Sequence, residues 1–149
     1  MATILRKRKE SRVDVNDILH FITENDSWGR CFVGWPKETL FAYLQFHSAH
    51  DSLYVTTKGG EVTGVAVAWR LNEENIGKHW IPPDRSGDSL FISDIVCSGR
   101  DALRTIFSML GERIPDWESL RIIAERRGEM VNISMRAFNR LRKITINRG

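Results

Sequence analysis

The apolar positions of this chain change period along its length. After Asp14 they fall three and four apart, at Val15, Ile18, Leu19 and Ile22. That spacing predicts one face of a helix with Asp14 as its N-cap. Pro36 suits the first turn of a second helix, whose face is Leu40, Tyr43, Leu44 and His47. The period then shortens. SLYVTT and EVTGVAVAWRL read as strands joined at Lys58-Gly59-Gly60, a compact hairpin signal. NEENIGKHWIPPDRSGD predicts a long loop, and Ser89 to Val96 a third strand. Leu103, Ile106, Phe107, Leu110 and Ile114 predict a third helix, ended by IPDW. SLRIIAE and MVNIS predict two more strands around Arg126-Arg127-Gly128, and Met135 to Lys143 a short basic helix. The predicted order is α-α-β-β-β-α-β-β-α. Its single strand–helix–strand crossover predicts an α+β fold, a mixed and largely antiparallel sheet flanked by helices.

Length and composition set limits on this picture. The chain has 149 residues, enough for one domain with its own core. No apolar run is long enough to span a membrane, and MATILRKRKE lacks the apolar segment of a secretory signal. Cys31 and Cys97 have no metal spacing and no disulfide framework, so a reducing, cytoplasmic location is expected.

Charge is unevenly spread. Residues 1–12 hold five basic and one acidic residue, residues 13–120 nine and sixteen, residues 121–149 eight and two. The expected organisation is a flexible basic tail over 1–12 and one domain over 13–149. The basic ends are compatible with nucleic acid, an acidic partner or a phosphorylated cofactor. The plainer reading is a solvated tail and a solvated helix face, since charge runs usually have no specific partner.

Two features carry candidate chemistry. Strict alternation along Ser89–Val96 sets Asp94 on the face of Leu90, Ile92 and Val96, a carboxylate in an apolar row. Buried there, it is either a proton-transfer group with a raised pKa or a structural acceptor tied to nearby donors. A bulge at Asp94–Ile95 would instead turn it outward. Next, Cys97-Ser98-Gly99-Arg100-Asp101 links the strand to a helix N-terminus, where free N–H groups suit a phosphate. Gly99 would let the backbone approach and Arg100 would add charge, whereas Asp101 opposes an anion. The alternative is that Ser98 or Asp101 caps the helix.

This layout resembles the GNAT superfamily of acyltransferases, and most nearly its toxin-activating lysine acyltransferase branch. SLYVTTKGGEVTGVAVAW resembles the branch's hairpin ending in Trp, here Trp69, and SGDSLFISDIV its Ser-Gly-Asp and catalytic Asp, here Asp94. SWGRCFVGWP is similar to the segment that carries its catalytic His before an Arg and a Trp-Pro. Gly29 stands where that His falls, so only Arg30 matches beside it. The glycine loop has one glycine where the superfamily has several. The resemblance implies acyl-CoA or acyl-carrier protein as donor and an amine on a protein or small molecule as acceptor. It implies Asp94 in proton transfer, and the loop from Cys97 through Ser98, Gly99, Arg100 and Asp101 to Ala102 on the phosphates.

Other residues are candidates for the missing base. His79, beside Trp80 in the long loop, could close over the site, and Cys31 could act as a nucleophile. His47 and His50 have metal-pair spacing without an evident third ligand and read better as surface residues, so no metal is expected. His20 reads as packing. Three classes of function follow: an N-acyltransferase, a non-catalytic binding or assembly module of the same fold, and a nucleic-acid-associated protein. Each is compatible with a homodimer.

Overall fold

The structure is a computed structural model describing residues 14–29, 32, 35–126 and 129–148. The basic tail over 1–12 lies outside these residues. Helix α1 spans Val15–Gly29 and α2 Lys37–Ala49. Then come β1 (Leu53–Lys58), β2 (Glu61–Leu71), β3 (Ser89–Cys97), α3 (Arg100–Arg113), β4 (Arg121–Arg126), β5 (Glu129–Asn132) and α4 (Met135–Arg148). This is the order that the apolar pattern predicts. Boundaries shift: α4 runs past Lys143, and Trp117–Ser119 forms a 3-10 turn ahead of β4.

Local chemistry explains the ends. The Asp14 carboxylate accepts from the Asn16 N–H at 2.9 Å, which caps α1. Pro36 sits one residue before α2 in an extended conformation, and its carbonyl accepts from the Leu40 N–H at 3.0 Å. Gly59 and Gly60 both have positive φ, +61° and +84°, as a two-residue hairpin turn requires.

One sheet in the order β1-β2-β3-β4-β5 runs through the described residues. Neighbours are antiparallel except β3 and β4, which are parallel with α3 crossing between them. Helices α1 and α2 cover one face, and α3 with α4 the other. Each face has its own core. Ile18, Ile22, Leu44, Val67, Trp69 and Phe91 fill the first; Leu90, Ile92, Ile106, Leu110, Ile122 and Phe138 fill the second. No described helix is long and apolar enough to cross a membrane.

The sheet departs from ideal pairing at the place that matters most. Val67 pairs with Asp94 but Ala68 pairs with Ile92, which leaves Ser93 as an extra residue in β3. This is a β-bulge, and it breaks the alternation on which the placing of Asp94 rests. Leu90 and Ile92 face α3 and α4, whereas Phe91, Ser93, Asp94 and Val96 face α1 and α2. Asp94 therefore shares a face with Val96 but not with Leu90 or Ile92. A second irregularity lies beside it. Parallel pairing of β3 with β4 runs from Ser89–Arg121 to Ile92–Ala124 and stops. Beyond it, Asp94 to Cys97 keep only β2 as a paired neighbour among the described strands. The two strands part there.

Candidate active site at the parting of β3 and β4

The bulge turns Asp94 toward α2, where Tyr43 meets it. The Tyr43 hydroxyl donates to Asp94 Oδ2 at 2.8 Å, and the Ser93 hydroxyl donates to the same oxygen at 2.5 Å. The Tyr43 and Ser93 oxygens are themselves 2.7 Å apart. Three oxygens thus make three short contacts, but the two hydroxyls supply only two protons. The third contact gains a proton only when Asp94 carries one. Burial favours a neutral carboxyl: Asp94 is 6% exposed. Burial pushes its pKa up to about 6, against the opposing pull of the Ser93 and Tyr43 hydroxyls and of His79. Burial and the neighbouring Asp94 carboxylate push the Tyr43 phenol upward in turn, so it stays a donor.

Across the parting stands Glu125, one residue beyond the last parallel pair of β4. The loop between β2 and β3 brings His79 against it, Nε2 to Oε1 at 2.9 Å. A carboxylate only accepts, so Nε2 carries the proton and Nδ1 the lone pair. The His79 ring also lies 5.8 Å from that of Trp35 and 6.1 Å from that of Tyr43, both edge-on. His79 and Glu125 keep 29% and 22% of their side-chain surface open, so solvent and small solutes reach them while Asp94 stays enclosed. The unit is an accessible imidazole oriented by one carboxylate, with Tyr43 between it and a second carboxyl, its ring 6.1 Å from that of His79 and its hydroxyl on Asp94.

His47 is completely buried on α2, not at the surface as its spacing with His50 suggests. Its Nε2–H donates to the His79 carbonyl at 2.8 Å, and burial pulls its pKa down to about 4. Its ring lies 4.4 Å from that of Trp69, tilted by 31°. His50 is exposed, and no group of three or more metal-binding side chains occurs among the described residues. His20 is also exposed and pairs with Glu24 at 3.2 Å, so it is not a packing residue.

The glycine loop is built differently from the expectation. Its cavity, about 300 Å³, is lined by Ser98, Gly99, Arg100, Asp101 and Ala102 together with Lys58 and Thr63 of the hairpin. No residue of β4 lines it, so it opens toward β1 and β2 and not into the parting. Both the backbone N–H and the hydroxyl of Ser98 donate to the Thr63 carbonyl, at 2.9 and 3.1 Å. Gly99 is fully extended, and a Cβ there would meet nothing within 4 Å, so that backbone does not require glycine. Cys97 is buried among the residues facing α3 and does not line the cavity. Arg30 and Cys31 lie outside the described residues.

Of the sequence candidates, then, Asp94 and His79 come together and the glycine loop stands apart. Tyr43, Ser93 and Glu125 join them without having been singled out for chemistry, and His47 joins them although its only candidate chemistry was a metal pair with His50. Tyr43 and His47 share an apolar helix face, which reads as packing. Glu125 ends an apolar strand, a position where a charge is ordinary. Compared with known proteins, the chain matches no family model and no curated protein.

Proposed function

We propose that the protein is an N-acyltransferase whose reaction takes place where β3 and β4 part. The supporting observation is the meeting there of His79 with Glu125, and through Tyr43 with Asp94, from a loop, a helix and two strands. An amine must lose a proton before it attacks a thioester. His79 Nδ1 takes that proton, and Glu125 and Asp94 stabilise the imidazolium that forms. The amine nitrogen bonds to the acyl carbon, the carbon–sulfur bond breaks, and the departing sulfur takes the proton back from the His79 imidazolium. The donor is acyl-CoA or acyl-carrier protein and the acceptor an amine on a protein or small molecule. Both rest on the resemblance to GNAT acyltransferases; a cytoplasmic setting rests on the two cysteines without a disulfide framework, and a homodimer is compatible with it. Arg30 and Cys31 remain candidates as well, and the loop from Ser98 to Ala102 for the donor's phosphates.

The decisive assay mixes the protein with acyl-CoA and a lysine-containing peptide and follows free thiol. Replacing His79 by Gln should lower the rate by about 10²–10⁴-fold, the usual worth of a general base. Equal rates in both proteins would remove His79 from the chemistry. The donor alone should also raise the melting temperature of the wild-type chain.

A second reading has one observation in its favour. The glycine-loop cavity is small and receives no wall from β4. That suits a non-catalytic binding module of the same fold, for which no acyl donor would shift the melt. A nucleic-acid role through the basic ends would show instead as salt-sensitive DNA or RNA binding.

A further inference from the structure

His47 is an expensive residue for its position. Helix α2 buries it completely, with the rings of Tyr43, Phe46 and Trp69 at 4.6, 4.9 and 4.4 Å. Because the His79 carbonyl can only accept, His47 holds its proton on Nε2 and leaves Nδ1 as a buried acceptor. Nδ1 has no hydrogen-bond partner. A buried, unpaired polar atom disfavours folding, and a phenyl ring would fill the same aromatic slot without it. Packing therefore does not explain an imidazole here. What the imidazole adds is one bond, from α2 to the backbone of the residue whose side chain meets Glu125.

We propose that His47 is a positioning residue, whose Nε2–H bond to the carbonyl of residue 79 holds the His79 ring against Glu125 across the parting of β3 and β4. The consequence for rate rests on the reading of His79 as the base of acyl transfer; the consequence for geometry does not. Loop residues earn catalytic precision only when something rigid fixes their backbone. Here the rigid element is α2, and the tie reaches the loop at the one residue that needs it.

The test uses the full chain, labelled with ¹⁵N at histidine, as wild type, His47→Phe and His47→Gln. Imidazole ¹⁵N shifts report which nitrogen of His79 holds the proton. In the wild type His79 should show a protonated Nε2. In His47→Phe that signal should move toward a mixture of tautomers, with no fall in melting temperature. Acyl transfer should fall by roughly tenfold or more in kcat, with KM nearly unchanged. His47→Gln keeps an N–H donor on a shorter arm and should recover most of the wild-type signal. An unchanged His79 signal in a folded His47→Phe overturns the proposal. So does a rate loss that tracks a lower melting temperature, which would mark His47 as plain packing. Should His47→Phe not fold, His47→Gln decides alone, and a shifted His79 signal in it counts against the tie. If no protein transfers an acyl group, the wild type included, the ¹⁵N signals still decide the positioning claim and only the acyltransferase reading falls.

Discussion

The two faces of the sheet are built from the same strands but on different terms. The face under α3 and α4 is an apolar core in which Leu90, Ile92, Ile106, Leu110 and Phe138 interlock. The face under α1 and α2 is equally buried, yet it holds Asp94, His47, Ser93 and the unpaired indole N–H of Trp69. β3 feeds both faces and changes over at its bulge. The difference shows where this fold spends stability: one side packs for cohesion, and the other keeps polar groups whose burial disfavours folding.

The largest effect should come from breaking the apolar side. Leu110→Ala is expected to lose about 2–5 kcal/mol in denaturant unfolding, with no dependence on pH between 4 and 8. A loss under about 1 kcal/mol would mean that the α3–α4 face is not the cohesive one.

The polar side should instead answer to pH, and its two buried groups oppose one another. Asp94 has its pKa raised from 3.8 to about 6 in the folded state. Its contribution is neutral below 3.8 and becomes unfavourable as pH rises through 6, because the native state binds the proton more tightly. His47 has its pKa lowered from 6.5 to about 4. Its penalty is absent above 6.5 and grows as pH falls toward 4, because the unfolded state binds the proton more tightly. Each slope is worth about 3 kcal/mol at roughly 1.4 kcal/mol per pKa unit, so the wild type should be nearly flat between them. Asp94→Asn should expose the histidine slope, with stability rising from pH 4 to 6.5. His47→Phe should expose the opposite slope, with stability falling over the same range. Denaturant titrations of the three proteins at several pH values would show parallel curves if neither group is buried as described. In the acyl-transfer assay, Asp94→Asn should also lose activity while remaining folded.

A smaller effect sharpens the same comparison. Tyr43→Phe removes one donor from Asp94 and should cost about 1–3 kcal/mol at pH 7–8, where the carboxylate is charged. The cost should shrink near pH 4–5, where a protonated Asp94 needs the donor less. A cost that does not vary with pH would mean that the Tyr43 hydroxyl acts on packing alone. The smallest effect belongs outside both faces. Arg121 pairs with Glu73 at the surface, and Arg121→Ala should change stability by less than about 1 kcal/mol, and by nothing measurable in high salt. A larger loss would extend the cohesive region to the start of β4.

Most of the architecture was legible without coordinates, and for a physical reason. Helix and strand periods are local, so Ile18 and Ile22, or the alternating residues of β2, declare their element from near neighbours in sequence. The hairpin at Gly59–Gly60 was equally local, since only glycine-like residues take positive φ at both positions of that turn. The same locality shows that Asp94 is unusual and that His79 lies in a loop near Trp80. Partnership is another matter. A bulge at Ser93 has no local signature, yet it moves Asp94 to the other face of the sheet and onto Tyr43, fifty-one residues away in sequence. His79 meets Glu125 across forty-six residues, and α2 reaches the His79 backbone across thirty-two. Sequence by itself determined the elements, their order and the suspicion that fell on Asp94 and His79. Only tertiary structure decided which carboxylates and hydroxyls meet them, because hydrogen bonds and burial depend on distance in space, and one inserted residue in a strand is enough to reassign both.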